Sequence, residues 1–437
     1  MTLAEIIAAN NAPAVSVRRD LHRYPETAFL EYRTASRIAA CLHQLGFAVR
    51  TGREVMDFDA VVDPPSAERV EEAKRAALAA GGDPVWMNRM PDGLTGIVAD
   101  YRFGDGPVVA FRFDMDALPV NETGAPEHRP NIENYRSRFA GRMHACGHDG
   151  HVGIGLALAR LLAQEKGLKG TLRLIFQPAE ESARGAAPMV AGGAVEGVDH
   201  LFVGHLGCLL PSGKVAASAI GFLFNSRFAV TFRGAVAHAA MGPQEGRNAL
   251  LAGAAAALGL HGISRFAGAE TFVNVGVLRA GTAFNIVADT CEMLVEVRAN
   301  NRDAHDYMVE RLHAAVNGAA TMHQCAVELV RKSHMPGNEN SPQAVALIAE
   351  VAAGLPGVTE VLPEWSIGGG DDASLMIRRV RENGGTAAYC IIGSDIPAVH
   401  HAADFDIDEA SLDIGLDLFS GLALRLLRLD NGYRRSP

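Results

Sequence analysis

At 437 residues the chain is too long for one ordinary core and predicts two or three domains. Its 48% hydrophobic and 21% charged residues describe a globular protein and exclude a largely disordered one. The formal net charge of −10 argues against non-specific nucleic-acid binding, which needs a basic surface, but leaves room for a small anionic substrate held by the local field of a cleft.

The opening residues Met1-Thr2-Leu3-Ala4-Glu5 show no basic segment leading into an apolar stretch, so no signal peptide is expected. Residues 28–45 read as a helix stopped by Gly46. Segment 53–91 carries an Ala/Glu/Arg-rich helix at 67–80 between Pro-rich ends and reads as a peripheral insertion. Strands are predicted at 107–113, 171–176, 200–203 and 386–392. A helix at 153–166 falls between the first two, with Leu156, Leu158, Leu161 and Leu162 near helical spacing. Strands alternating with helices imply a largely parallel sheet covered on both faces.

The middle of the chain changes character. Strands are predicted at 222–232 and 271–278, with period-two alternation at 291–298, and helices at 248–263 and 303–320. That is an α+β block of roughly 110 residues, a reasonable independent domain. Its most apolar stretch, 249–260, is Ala/Gly-rich and short of the roughly 20 residues a membrane span needs, so it reads as a buried helix. Ser333 to Asn338 reads as a linker, and the α/β pattern resumes near Pro342. The expected plan is a catalytic domain from residues 1–221 and 334–437, interrupted by a smaller domain at 222–333. Six cysteines stand far apart without a Cys-x-x-Cys pair, which points to reduced thiols in a cytoplasmic protein.

In an open α/β sheet, chemistry gathers beyond the carboxyl ends of the strands. The predicted strands run into Asp114-Met115-Asp116, into Gln177-Pro178-Ala179-Glu180-Glu181, to His205, and towards His400-His401. Just before a helix stand His144, Cys146, His148 and His151. Each has a bland reading alone: a lone Cys is usually a small buried hydrophobe, a lone His a satisfied core or surface residue. Together, thiolate, imidazole and carboxylate suit Zn²⁺ or Mn²⁺, and the carboxylates favour Mn²⁺. Adjacent glutamates also divide labour, since one can bind metal while its neighbour takes the proton of an attacking water. Two rivals remain: an amidase with Cys146 as nucleophile, which a chelator would leave active, and a non-catalytic partner subunit.

These motifs resemble the amidohydrolase branch of the M20 metallopeptidase family, and within it the hydrolases of aminobenzoyl-glutamate. The resemblance covers nearly the whole chain. It rests on Phe113-Asp114-Met115-Asp116-Ala117-Leu118, on Met143 to His151, and on Ile175 to Glu181. It continues in Gly234 to Ala240, Phe284-Asn285-Ile286-Val287, Gly370-Asp371-Asp372 and His401-Ala402-Ala403-Asp404-Phe405. The 53–91 insertion is similar to the aminobenzoyl-glutamate hydrolases and lacking in shorter relatives.

The resemblance implies a zinc-aminopeptidase-like α/β catalytic domain with an inserted α+β lid and dimerisation domain. It implies two divalent ions per chain, Mn²⁺ favoured and Zn²⁺ possible, with Cys146 bridging and His148, Glu181, His205 and His401 completing the set. His401 is preferred to His400 because the family pattern places the ligand four residues before the phenylalanine. Glu180 becomes the general base, His238 the oxyanion stabiliser, Asp116 a support behind the ligands. Asn285 is expected to line the cleft, and Arg184 and Arg298 are candidates for a substrate carboxylate, each equally readable as a solvated arginine. Two departures stand out: Asp371 where relatives carry glutamate, and Val287-Ala288 in place of Ile-Pro. The expected reaction is hydrolysis of an aromatic acyl amide of an acidic amino acid, p-aminobenzoyl-glutamate first and indole-acetyl-aspartate second. The expected assembly is a homodimer through the lid or a heteromer with a related second chain, without nucleic acid or membrane.

Overall fold

The computed structural model of this protein describes Leu3 and residues 13–428. Apart from Leu3, the opening segment read for a signal peptide lies outside those residues. The chain forms two compact units. One comprises Met1–Ile220, Asn338–Ile367 and Asp371–Pro437; the other Gly221–Gly337 with Gly368–Gly370.

The strands in chain order are β1 (Ala48–Thr51), β2 (Ile97–Arg102), β3 (Val108–Asp114), β4 (Thr171–Gln177), β5 (His200–Leu206), β6 (Lys214–Ala216) and β7 (Ala219–Ile220). They continue as β8 (Phe224–Arg233), β9 (Thr271–Ala280), β10 (Thr290–Ala299), β11 (Ala326–Met335), β12 (Glu360–Leu362), β13 (Trp365–Ser366) and β14 (Thr386–Ile392). The first unit holds an eight-stranded sheet ordered β1-β2-β4-β3-β5-β14-β6-β12. Its centre, β4-β3-β5-β14, is parallel, while β1, β2 and β6 join antiparallel. The four strands read from sequence are the parallel four. Their runs are nearly continuous in apolar residues and buried on both faces, as parallel strands must be. The antiparallel flanks make the sheet mixed, with four of its seven pairings parallel, as expected of a mostly parallel sheet.

The helix His148–Ala163 packs on this sheet and on the helices Pro13–His22 and Ala410–Leu427. It starts five residues earlier than its leucine spacing suggests. Gly147 precedes it at φ +94°, a left-handed conformation that favours glycine. Gly153 lets it sit close to its neighbour, since a Cβ there would stand 2.5 Å from the Ala14 carbonyl oxygen. The helix expected at 28–45 begins only at Tyr32, because Phe29 has φ +62° and cannot continue a right-handed helix. The 53–91 segment is more than peripheral. It carries the helices Ala67–Ala79 and Pro84–Met87, and sends Val70, Ala77, Trp86, Met87 and Met90 into the main core.

In the second unit, β11-β8-β10-β9 form an antiparallel sheet packed by the helices Ala249–His261 and Arg302–Met322 over their own core. The linker expected at 333–338 is corrected here. Ser333, His334 and Met335 are the end of β11, paired with Arg227, Ser226 and Asn225. As an edge strand with exposed charges it carries little apolar alternation to read. Among the described residues no helix is long and apolar enough to cross a membrane.

Candidate metal centre

Parallel strands deliver their carboxyl ends to one edge of the sheet, and here the register is tight. Asp114 lies opposite Gln177, and His205 opposite Ile391. The loops that leave these ends carry Asp116, Glu180-Glu181 and His400-His401; the bend before the helix His148–Ala163 adds Cys146, and its first residue adds His148. Among the described residues several groups of ligand atoms emerge, each with all atoms within 4.8 Å of one another. Cys146 belongs to two of them, with His148 and His205 and with Glu181 and His401. His148, Glu180 and Glu181 form another, as do Asp114, His148 and His151, and His205, Cys208 and His400.

Hydrogen bonds fix which ring nitrogens face inward. His148 donates Nδ1–H to the Asp116 carbonyl at 2.9 Å, which leaves Nε2 as the nitrogen that faces the cluster. His205 does the same through Nδ1 to the Leu206 carbonyl at 2.8 Å, and its Nε2 stands 3.5 Å from Cys146 Sγ. His148 Nε2 faces Glu181 Oε1 at 3.7 Å, Asp114 Oδ2 at 3.7 Å and Glu180 Oε2 at 3.8 Å. His401 Nε2 lies 3.3 Å from Glu181 Oε2, on a residue held at φ +71°. His148 Nε2 and Glu181 Oε1 are buried without any hydrogen-bond partner. Buried polar atoms are rarely orphaned, and lone pairs that converge at these distances want a cation between them. The donor set, one thiolate, imidazoles and carboxylates, fits borderline divalent ions.

The electrostatics agree. Burial would depress the His148 pKa, but Asp114, Asp116 and Glu181 outweigh it and push it up to about 10. Burial raises Glu181 to about 7, with Asp116 adding to it against His148. Burial, then Asp371 and Glu181, hold Glu180 well above the usual carboxylate range despite Arg112. Burial and the same two glutamates push the Cys146 thiol up. Without a cation the cluster keeps protons that a divalent ion would displace.

Asp116 carries the scaffold. Its carboxylate accepts the backbone N–H of Glu180 and of Glu181, both at 3.1 Å, while its carbonyl orients His148. Behind it lies a shell that sequence reading passed over. Asp114 accepts from His151 Nδ1 at 2.5 Å and from Arg112 at 2.6 Å. Arg112 also binds Asp371, which takes Tyr389 OH at 2.8 Å, and Gln177 binds Asp372. The shorter Asp371 therefore sits in a complete ionic lattice. A charged residue inside an apolar strand, Arg112, was the available signal for that lattice.

His144, by contrast, is buried with both ring nitrogens unpartnered, and burial lowers its pKa to about 3. Arg184 donates Nη1 to the Val62 and Asp63 carbonyls, tying the insertion to the loop after Glu181. Beside it opens a cavity of about 750 Å³ whose wall includes Phe29, Pro64, Arg69, Asp116, Glu181 and Arg184. Arg69 was not anticipated, because nothing in its helix distinguishes it from a solvated arginine. The remaining expected residues belong to the second unit. His238 and Asn285 are exposed neighbours there, joined by the His238–Ile286 bridge and by Ala239 N–H to the Asn285 carbonyl at 3.1 Å. Arg298 pairs with Glu296 at 2.8 Å.

Residues 110–425 match the family model described as Peptidase family M20/M25/M40. The indole-3-acetyl-aspartic acid hydrolase of Enterobacter agglomerans is 41% identical over 410 residues, 93% of this chain and 94% of that protein. One chain of the p-aminobenzoyl-glutamate hydrolase of Escherichia coli (strain K12), itself named as a subunit, is 40% identical with the same coverage. Among solved structures, an aminobenzoyl-glutamate utilization protein from Klebsiella pneumoniae superposes with a TM-score of 0.81 at 35% identity, covering 97% of this chain and 98% of that one. The YXEP protein of Bacillus subtilis, described as a dinuclear metal binding peptidase from the M20 family, gives 0.68 at 26% identity, covering 95% and 97%.

Proposed function

The chain belongs to peptidase family M20/M25/M40, and from that premise we propose that it hydrolyses the amide between an aromatic acyl group and an acidic amino acid, p-aminobenzoyl-glutamate first. The observation that carries this reading is the convergence of Cys146, His148, Glu181, His205 and His401 beside a second, adjacent glutamate. In this reading Cys146, His148, Glu181, His205 and His401 would hold two divalent ions, Mn²⁺ favoured over Zn²⁺ by the carboxylate content. Such ions would supply the Lewis acidity that polarises the amide carbonyl and acidifies a water.

The protein's own groups do the rest. Glu180 stays unligated and takes the proton of the attacking water. It then delivers the proton to the departing amine nitrogen. Asp116 holds both glutamate backbones and the His148 ring in register, so the base and the ligands move as one body. His238 is assigned to the oxyanion and Asn285 to the cleft, with the second unit as lid and dimerisation domain. A cavity of about 750 Å³ falls within the range of small-molecule sites.

A second reading, indole-acetyl-aspartate as substrate, is favoured by the relative at 41% identity. A related second chain also fits, since the Escherichia coli relative is one part of a larger enzyme by its name. One experiment addresses these together: metal content per chain, followed by turnover of both amides by the Mn²⁺-loaded protein. Two ions and cleavage of either amide support the reading, and the ratio of kcat/KM values chooses the substrate. Fewer than one ion per chain overturns it.

A further inference from the structure

His400 lies next to the residue assigned as a ligand, and its ring touches the same sulfur. The backbone N–H of Cys208 donates to His400 Nε2 at 2.9 Å. A backbone amide can only donate, so Nε2 must present a lone pair, and any ring proton sits on Nδ1. Nδ1 stands 3.5 Å from Cys146 Sγ and also reaches the Cys146 backbone, so both acceptors of the ring proton belong to that residue. The ring is held in this orientation from three sides. Phe405 packs on it at 4.8 Å between centroids, and His205 at 5.3 Å. Gly207 leaves it room, since a Cβ there would stand 3.1 Å from Nε2.

We propose that His400 is a positioning residue that donates Nδ1–H to the Cys146 thiolate, fixing and polarising a sulfur that would hold metal, and is not itself a metal ligand. The two histidines of the His400-His401 pair then divide the work. His205, whose Nδ1–H is engaged by the Leu206 carbonyl, offers Cys146 a bare Nε2; His400 offers the same sulfur a proton. A hydrogen bond to a ligating thiolate stabilises its lone pairs and tunes the metal it binds. This inference rests on the metal-centre reading above, and its test separates the two.

The protein is loaded with Co²⁺, whose thiolate charge-transfer absorption reports the sulfur lone pairs directly, and ions per chain are counted. Three variants are compared with wild type: H400A, H400N and H400Q. The Asn amide nitrogen reaches the position of Nδ1, whereas the Gln amide falls nearer that of Nε2. H400A and H400Q are expected to keep two ions, move the band to lower energy, and lose roughly tenfold or more in competition with a chelator. H400N is expected to keep the wild-type band. Loss of an ion in both H400A and H400N would make His400 a ligand and overturn the proposal, as would an unmoved band in folded H400A and H400Q. A wild-type protein that takes up no ions fails the metal-centre reading instead.

Discussion

Two consecutive residues at the start of one helix face opposite kinds of buried charge. His148 looks into the open cluster, where its Nε2 and Glu181 Oε1 have no hydrogen-bond partner. Asp149 looks into a closed one. There Asp149 takes His22 Nδ1 at 2.7 Å and the Gly150 N–H, and lies 3.5 Å from Arg18. Arg18 also binds Asp406 and Glu409, while Glu122 accepts from His22, His128 and the Ser137 N–H. Every carboxylate oxygen of Asp149, Glu122, Asp406 and Glu409 has a partner, and the one orphaned atom of Arg18, Nε, still faces Asp149 at 3.5 Å as an ion pair. A buried ionic cluster that closes on itself holds the fold, and one that leaves converging lone pairs holds something else. The difference gives each cluster its own failure: the open one should lose chemistry without losing the fold, and the closed one the reverse.

The largest contrast should come from Glu180→Gln. Removing the proton acceptor while keeping the shape should lower kcat by about 10²–10⁴-fold, with bound metal and melting temperature unchanged. Arg18→Met makes the opposite change. It leaves Asp149, Asp406 and Glu409 buried without their shared cation and should cost about 3–5 kcal/mol in denaturant unfolding, while the folded fraction keeps its kcat. Equal loss of activity and stability in both variants would erase the distinction.

The closed cluster also predicts a pH dependence. Burial alone would lower the His22 pKa, but hydrogen bonds to Asp149 and Glu122 raise it from 6.5 to about 9. A raised folded value means that stability is complete below about pH 6.5 and is lost as pH climbs through 9. The shift is worth on the order of 3 kcal/mol. Unfolding followed between pH 6 and 10 should show this slope in the wild type, flattened in His22→Gln.

How far the sequence carried depended on whether a residue's role was local. The four central strands were legible because parallel strands are uninterrupted apolar runs, and their acidic or histidine ends marked one edge of the sheet. Cys146, His148, Glu180 and Glu181 stood out because they crowd into short motifs, and the structure brings their ligand atoms together. Asp116 could be set behind the ligands only through a resemblance; that its two oxygens hold two consecutive backbone amides follows from the turn after β4, where Ala179 adopts φ +54°. The closed cluster was invisible. Arg18, His22, Asp149 and Asp406 meet across 388 positions of chain, and no one of them looks unusual where it stands. β11 was missed for the opposite reason, its edge position filling it with charges.

Asp116→Asn tests the seam between the two kinds of cluster. The amide keeps the shape but replaces one acceptor oxygen by a donor, which then confronts the N–H of Glu180 or Glu181. Metal affinity should fall by roughly 10–100-fold, with kcat recovering at saturating Mn²⁺.

The smallest effect belongs to the cavity wall, where the charges are partly solvated. Arg184 is half-buried and already engaged by the insertion's carbonyls through Nη1, whereas Arg69 is exposed. An exposed ion pair is worth at most about 1 kcal/mol, so Arg69→Ala should raise KM for an acyl-glutamate by no more than about fivefold and leave kcat alone. Arg184→Ala should do somewhat more, because it also releases the 62–63 carbonyls that shape the wall. The comparison that decides is between an acyl-glutamate and the same acyl group on alanine. If these arginines meet a substrate carboxylate, the glutamate amide alone should suffer; if both substrates weaken equally, Arg184 supports only the wall.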